Sequence, residues 1–305
     1  MPKLTTILAV IMSTGALAGC AATSQPGTSG VNAVTAQSES KAPAPYTITK
    51  QIRYSFTLQN TTGQLLPHAQ FWTYAPVPRM SHQWLEKISA SQPFNVSRDS
   101  LGNEILHFEF QNIAPYAAKI VSITADLKMA EAAAAVEDRA PERFLRAEPY
   151  IESDNAKLAA VARDFHETSA VGTMKRAYTW VAGNLKTETY VPEDRGASYA
   201  LATRKGDCTE FAYLLTALGR ANQVPSRPVG GYVFKGNAIV KAPDYHNWME
   251  FYADGRWRLA DAQKHAFMQS QTDYVAMRVI AVTGEEPIAS QRFSYAGEGL
   301  EVSMN

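Results

Sequence analysis

Three side chains far apart in the sequence could together perform nucleophilic acyl transfer: a thiol, an imidazole and a carboxylate. The thiol is Cys208, within Gly206-Asp207-Cys208-Thr209-Glu210-Phe211-Ala212. Asp207 suits a helix N-cap, and Glu210 three residues later completes a capping-box pattern. Phe211, Leu214, Leu215 and Leu218 then line one helix face. Cys208 falls in the first turn, where unpaired backbone N–H groups and the helix dipole favour an anion. A thiolate placed there is expected to have a lowered pKa and to be the nucleophilic form. A free cysteine without such partners more often packs as a small hydrophobe, so the residues that could act on the thiol decide between the two.

Those residues lie in Tyr245-His246-Asn247-Trp248-Met249-Glu250-Phe251-Tyr252, then Ala253-Asp254-Gly255, then Arg256-Trp257-Arg258-Leu259-Ala260-Asp261. Two alternating aromatic runs around Asp-Gly predict a β-hairpin with a two-residue turn. That register pairs Tyr252 with Trp257 and, counting outward, Trp248 with Asp261. His246 is then the diagonal neighbour of Asp261 on the same face. A slip of one residue would send Asp261 to the opposite face and remove the pair. In the unslipped register His246 can take the thiol proton, and Asp261 can fix the imidazole tautomer and stabilise its charged form. A lone strand histidine is usually structural and a strand-end aspartate usually a turn residue. One unpaired cysteine at a helix start, followed by His and Asp on one hairpin face, is the more specific combination.

From about residue 155 to 263 the sequence resembles the transglutaminase-like superfamily of papain-like folds. The resemblance rests on Gly206-Asp207-Cys208 opening a helix, His246-Asn247-Trp248 on a strand and Trp257-Arg258-Leu259-Ala260-Asp261 on the next. The stretches LLTALGRANQVPSRPVGGYVF and RAYTWVAGNLK are similar to that family's core helix and strand and to a helix upstream of its nucleophile. The resemblance implies Cys208 as nucleophile, His246 as base and Asp261 as the group that orients it. The backbone N–H of Cys208 would be one oxyanion donor. The papain family takes its second donor from an upstream glutamine, but Ala202 stands six residues before Cys208 and that region holds no glutamine. Tyr199 is the candidate for a hydroxyl in its place, with Tyr190 the other possibility.

The elements that must position these groups change character along the chain. Tyr46, Ile48, Ile52, Tyr54, Phe56 and Leu58 recur with period two, the pattern of a half-buried strand. Further strands are expected at Phe71–Val77, ended by Pro76 and Pro78, around Leu106, Phe108 and Phe110, and around Val121, Ile123, Ala125 and Leu127. Turns are expected at Asn60–Gly63 and Leu101–Asn103. Residues 46–129 are therefore expected to form a small β-sandwich, with a role in spacing, docking or substrate contact. Residues 130 to about 150 read as a helical or irregular connector. Helical spacing follows at Leu158, Val161, Ala162 and Phe165, and at Met174, Tyr178, Val181 and Leu185. Residues 190 to about 203 read as irregular, a third helix follows Cys208, and β-rich sequence follows that. The expected fold class is α+β: a papain-like transglutaminase core over 130–305, preceded by the all-β sandwich.

The N-terminus carries a different message. Lys3 precedes a short apolar stretch over residues 4–18, the pattern of a secretory signal over residues 1–20. It ends Leu17-Ala18-Gly19-Cys20, which resembles the bacterial lipobox and implies lipidation of Cys20. Ala21 is not aspartate, so the resemblance implies the outer membrane, facing the periplasm. Residues 21–45, rich in Ala, Ser, Thr, Gly and Pro, read as a flexible tether. Acylation of Cys20 leaves Cys208 as the second of two cysteines, without an intramolecular partner in an oxidising compartment.

Composition removes other classes. Lysine plus arginine equals aspartate plus glutamate at 29 each, so no charge imbalance favours nucleic acid. No apolar run beyond the N-terminus is long enough to span a membrane. No cofactor and no metal is expected. His68, His82 and His107 lack ligand spacing and read as structural, and His166 and His265 read as structural or surface residues. No clustered acidic loop of the calcium-binding kind is present. The expected function is cysteine-dependent acyl transfer on peptide or protein amides through a thioester, hydrolysis being favoured over crosslinking. The alternative is a non-catalytic peptide-binding module that keeps the papain-like groove.

Overall fold

Strict alternation builds the first half of the chain. The computed structural model describes residues 34–37, 42–136, 141–281 and 287–305, so the expected signal segment and Cys20 lie outside the described residues. The strands are β1 (Val34–Gln37), β2 (Ile48–Asn60), β3 (Leu66–Tyr74), β4 (Gln83–Ala90), β5 (Asn95–Arg98), β6 (Glu104–Ile113) and β7 (Ala118–Met129). Along β2, Ile52, Tyr54, Phe56 and Leu58 are buried, the first three opposite Ala125, Ile123 and Val121 of β7. Phe71 of β3 pairs with Phe108 of β6 in the second sheet, and its ring lies 4.8 Å from that of Phe56. Interlocked aromatics from two sheets make the sandwich core.

Three details differ from the sequence-based reading. The strand expected at Phe71–Val77 starts earlier and ends at Tyr74, before the prolines. Strands β4 and β5 were not anticipated, because neither carries a clean alternation. The expected tether contains β1, which adds to the open edge of β4 through backbone pairing.

The second half supplies α1 (Ala156–Arg163), α2 (Ala170–Asn184), α3 (Gly196–Thr203) and α4 (Cys208–Ala221). Its strands are β8 (Lys186–Thr187), β9 (Lys205–Gly206), β10 (Ser226–Val233), β11 (Ala238–Ile239), β12 (Tyr245–Ala253), β13 (Arg256–Asp261), β14 (Ala266–Phe267), β15 (Tyr274–Val279), β16 (Phe293–Ala296) and β17 (Leu300–Met304). The connector near 141–145 is a short 3-10 turn. Helix α3 occupies a segment read as irregular. It is one short helix with no side-chain cap, closed by Arg204 in the left-handed region, and so carries few sequence signals.

Helix α4 is buried on every side from Thr209 to Arg220. Helices α1 to α3 surround it, and Met249, Phe251 and Ala260 of the sheet β14-β13-β12-β10-β15 close its remaining face. The opposite face of that sheet presents Trp248, Val229, Leu259 and Tyr274, which pack with Val77 and Met80 from the β3–β4 connection. The architecture is α+β, with the five-stranded sheet between helices and sandwich.

Sandwich and core are not separate bodies joined by a linker. Tyr232, Val240, Val275 and Met277 share the sandwich's own hydrophobic cluster. Strand β16 pairs with β3 and β17 with β2, so the last strands, assigned by sequence to the domain 130–305, complete the sandwich sheets. Lys50, buried within β2, donates to the carbonyls of Phe234 and Thr272, and burial lowers its pKa to about 8.

His82, expected to be structural, is buried at the same junction. Its Nε2 lies 3.1 Å from the Tyr274 carbonyl and its Nδ1 3.5 Å from Glu250. Burial first, then Arg227 and Lys50, hold its pKa below the ordinary value, against the pull of Glu250 and the Tyr274 carbonyl. A histidine depressed in the fold takes up its proton more readily when unfolded, so stability is full above the ordinary imidazole pKa and falls as pH drops below it. The melting temperature should therefore decline on acidification from about pH 7 to about pH 5. A His82→Gln variant should start lower near neutral pH and lose less over the same interval. Thermal unfolding across that range checks both.

Candidate active site

The nucleophile position is built by the start of α4. Asp207 Oδ1 accepts from the Thr209 N–H at 2.8 Å, and Glu210 Oε2 accepts from the Asp207 N–H at 3.1 Å, closing the capping box read from sequence. Gly206 has a steric reason to be glycine. A Cβ there would lie 2.3 Å from the Cβ of Glu210. Glu210 is buried and paired with Arg195 at 2.6 Å; Arg195 also reaches Glu188 at 3.1 Å. Pairing and backbone donors together allow the charge to be buried.

The second arm is the β12–β13 hairpin. Asp254 and Gly255 both have positive φ, 52° and 72°, as a two-residue hairpin turn of the primed type requires. The register runs Tyr252↔Trp257 through Met249↔Ala260, the one read from the sequence. His246 and Asp261 therefore meet: Nε2 lies 2.6 Å from Oδ2, with both residues buried. Asp261 has two further donors, the Lys264 N–H to Oδ1 and the Tyr274 hydroxyl to Oδ2, each at 3.0 Å. Tyr274 comes from β15, separated from β13 by the two strands β12 and β10. Burial and the neighbouring Asp261 push its phenol pKa up, so it stays a donor.

The two arms join at Asn247. Its Nδ2 donates to Thr209 Oγ1 at 3.0 Å, and its backbone acts to lower the pKa of the Cys208 thiol. The thiol thus lies beside the residue that follows His246. With Nε2 committed to Asp261, Nδ1 is the ring nitrogen left to face a reacting proton.

The expectation of a lowered thiol pKa is not met. Burial pushes Cys208 up to about 11, and Asp207 and Asp261 add to the rise; the hydrogen bonds from Asn247 and Thr209 oppose it without winning. The sequence shows the helix start but not how much protein covers the sulfur.

Tyr199, the candidate second oxyanion donor, sits on α3. Its hydroxyl accepts from Arg195 at 3.1 Å and the Arg195 guanidinium lies over its ring at 4.5 Å, which ties it to the Arg195–Glu210 cluster. Tyr190 is exposed. Of the other histidines, His68, His166 and His265 are at the surface, and His107 stacks on Trp72. Among the described residues, no three of His, Cys, Asp and Glu cluster so as to hold a metal ion.

Residues 159–262 match the core model of the transglutaminase-like superfamily. This segment is a transglutaminase-like domain. It contains Cys208, His246 and Asp261 and coincides with the span marked by the three sequence motifs. A presumptive cysteine protease from Cytophaga hutchinsonii has a similar structure: 19% identity, a TM-score of 0.55, and coverage of 85% of this chain and 92% of that one. Weaker likenesses link the chain to the periplasmic domain of TgpA from Pseudomonas aeruginosa, at 16% identity and a TM-score of 0.38 over 66% and 88% of the two chains. A presumptive protease from Parabacteroides distasonis follows at 12% and 0.30 over 70% and 43%. No curated protein matches the sequence. The Cytophaga likeness extends well beyond the transglutaminase-like domain and so includes sandwich strands.

Two measurements probe the site directly. Tyr274→Phe removes one donor from a buried carboxylate and should cost about 1–3 kcal/mol of stability, read from urea unfolding. Alkylation of Cys208 by iodoacetamide should be slow near neutral pH and keep rising towards about pH 11. A rate already at its plateau near neutral pH would instead reveal a preformed thiolate.

Proposed function

We propose that this protein is a cysteine-dependent acyl-transfer enzyme acting on peptide or side-chain amides, with hydrolysis favoured over crosslinking. The observation that carries the reading is the 2.6 Å His246–Asp261 contact on the strand whose next residue, Asn247, bonds Thr209 beside Cys208. Cys208 Sγ attacks the amide carbonyl while His246 Nδ1 takes the thiol proton. Asp261, fixed by Tyr274 and Lys264, steadies the imidazolium. The imidazolium protonates the leaving amine as the C–N bond breaks, leaving a thioester on Cys208. Water, deprotonated by His246, then attacks the thioester, releasing a carboxylic acid and restoring the thiol. A primary amine in place of water would form a new amide. The Cys208 N–H at the start of α4 suits the oxyanion, and Tyr199 could join it only by leaving Arg195.

The Leu17-Ala18-Gly19-Cys20 motif supports a lipid anchor on Cys20 and a place in the bacterial envelope, on the periplasmic side of the outer membrane. Peptide amides of proteins or of the cell wall would be within reach there.

The elevated thiol pKa favours a second reading, a peptide-binding module that keeps the groove without chemistry. The two separate cleanly. Purified protein is incubated with a panel of peptide amides and a labelled primary amine. Hydrolysis or amine incorporation should fall roughly a thousandfold or more in Cys208→Ala and in His246→Ala. Turnover unchanged in either variant, or absent across the whole panel, sinks the enzymatic reading.

A further inference from the structure

We infer that the sandwich supplies a specificity pocket beside the reacting groups, one that takes a single large apolar side chain of the substrate. The inference deepens the acyl-transfer reading and names the substrate class. A cavity of about 280 Å³ lies where three parts of the fold meet. Tyr54 and Phe56 come from the sandwich, Tyr232 and Met277 from the five-stranded sheet, and Phe293 and Met304 from the last two strands. The floor residues Tyr54, Phe56, Tyr232 and Met277 are buried, whereas Tyr245, Arg292 and Met304 at the rim are partly exposed. Folded cores rarely keep voids much larger than a water molecule. A dry apolar cavity of about 150 Å³ already admits benzene, so this one has room for a phenylalanine- or leucine-sized side chain and not for a whole dipeptide.

Its position relative to the chemistry sets its role. A second, polar cavity of about 510 Å³ is lined by His246, Asp244 and Lys264. The two cavities share Tyr232 and Tyr245, which pair across β10 and β12 with rings edge to face at 5.5 Å. Tyr245 immediately precedes His246. Alternation turns Tyr245 to the same side of β12 as Asn247, which bonds Thr209 beside Cys208, so a substrate main chain lying between Cys208 and His246 can pass a neighbouring side chain over the two tyrosines into the apolar cavity. Arg292 at the rim bonds the Ala242 carbonyl and lies 4.8 Å over the Tyr245 ring; these contacts leave it able to donate to a substrate carbonyl. On this inference the sandwich and the last strands select the substrate, while the transglutaminase-like domain reacts with it.

The test uses the full protein and two peptide amides that differ only in phenylalanine or glycine beside the reacting bond. Met304 lines the cavity with its sulfur 3.4 Å from the Tyr232 hydroxyl, and Met304→Trp should fill it. The preference of kcat/KM for the phenylalanine substrate should fall about tenfold or more in that variant. Binding is measured separately in the Cys208→Ala background with N-acetylphenylalaninamide and N-acetylglycinamide, by titration followed by NMR. Selective binding of the phenylalanine probe, lost in Met304→Trp, supports the pocket even if no amide is turned over. Turnover with an unmoved phenylalanine-to-glycine ratio overturns the pocket and leaves the reaction standing. Equal binding, or none, of both probes also overturns it. Should Met304→Trp fail to fold by circular dichroism, Met304→Ala widens the cavity instead and should shift the preference towards a larger, tryptophan-bearing probe; an unshifted preference counts against the pocket.

Discussion

The contact between His246 and Asp261 exists only because of a register, and the register only because of a turn. Asp254 and Gly255 take the positive φ values that keep a two-residue loop tight. Side chains alternate along each strand, so a loop one residue longer would carry Asp261 to the helix-facing side of the sheet and leave His246 without a partner. The carboxylate would then be buried on the side of Met249 and Phe251, which offer no donors. Burying a charge is tolerable only with hydrogen bonds to it, and Asp261 draws its three from β12, from β15 and from the loop after β13. The sheet order β14-β13-β12-β10-β15 is thus part of the site: it brings the Tyr274 hydroxyl back over a carboxylate three strands away.

That sheet is held from both sides. Helix α4 fixes it through Met249 and Phe251, and the same helix sets the height of Cys208 through its capping box. On the opposite face Trp248 and Tyr274 rest on Val77 and Met80, while Gln83 bonds the Val77 and Ala276 carbonyls and accepts from the Ala276 N–H. The sandwich therefore braces the Asp261 side of the site with polar contacts as well as apolar ones. A spacer joined by a flexible linker would have no need of the buried groups Lys50, His82 and Gln83 at the junction. Each costs desolvation that only a fixed geometry offsets.

The parts of this arrangement that were legible in the sequence are those carried by short spacings. Asp207 and Glu210 announce the start of α4 within four residues, and Asp254-Gly255 sets the hairpin register outward to His246 and Asp261. Alternation exposed β2, β6 and β7. What stayed hidden depends on residues brought together from afar. Nothing near Tyr274 in the sequence indicates that its hydroxyl meets Asp261, because the meeting depends on strand order. Arg195 and Glu210 lie fifteen residues apart across α3, a helix too short and too weakly capped to read. Strands β16 and β17 look like a tail of the second domain until pairing returns them to β3 and β2. Tyr199 was drawn towards the oxyanion by its nearness in sequence to Cys208, while the fold gives its hydroxyl to Arg195.

The thiol shows how two correct local arguments compete. A helix N-terminus stabilises an anion by about 0.3–2 kcal/mol, equivalent to roughly one and a half pKa units at most. Burial in low-dielectric surroundings can raise the pKa of a thiol by about 3–5 units. At Cys208 the second effect exceeds the first, and the nearby carboxylates Asp207 and Asp261 push in the same direction. A thiol near 11 is ionised to only about one part in ten thousand at neutral pH. On the acyl-transfer reading the proton must therefore leave as sulfur attacks, with Nδ1 of His246 receiving it, and a standing ion pair is not the resting state. Such a mechanism places greater demands on the imidazole than on the helix dipole. It accounts for Asp261 being the most heavily hydrogen-bonded group of the three: its charge is what makes imidazolium affordable at the moment of transfer.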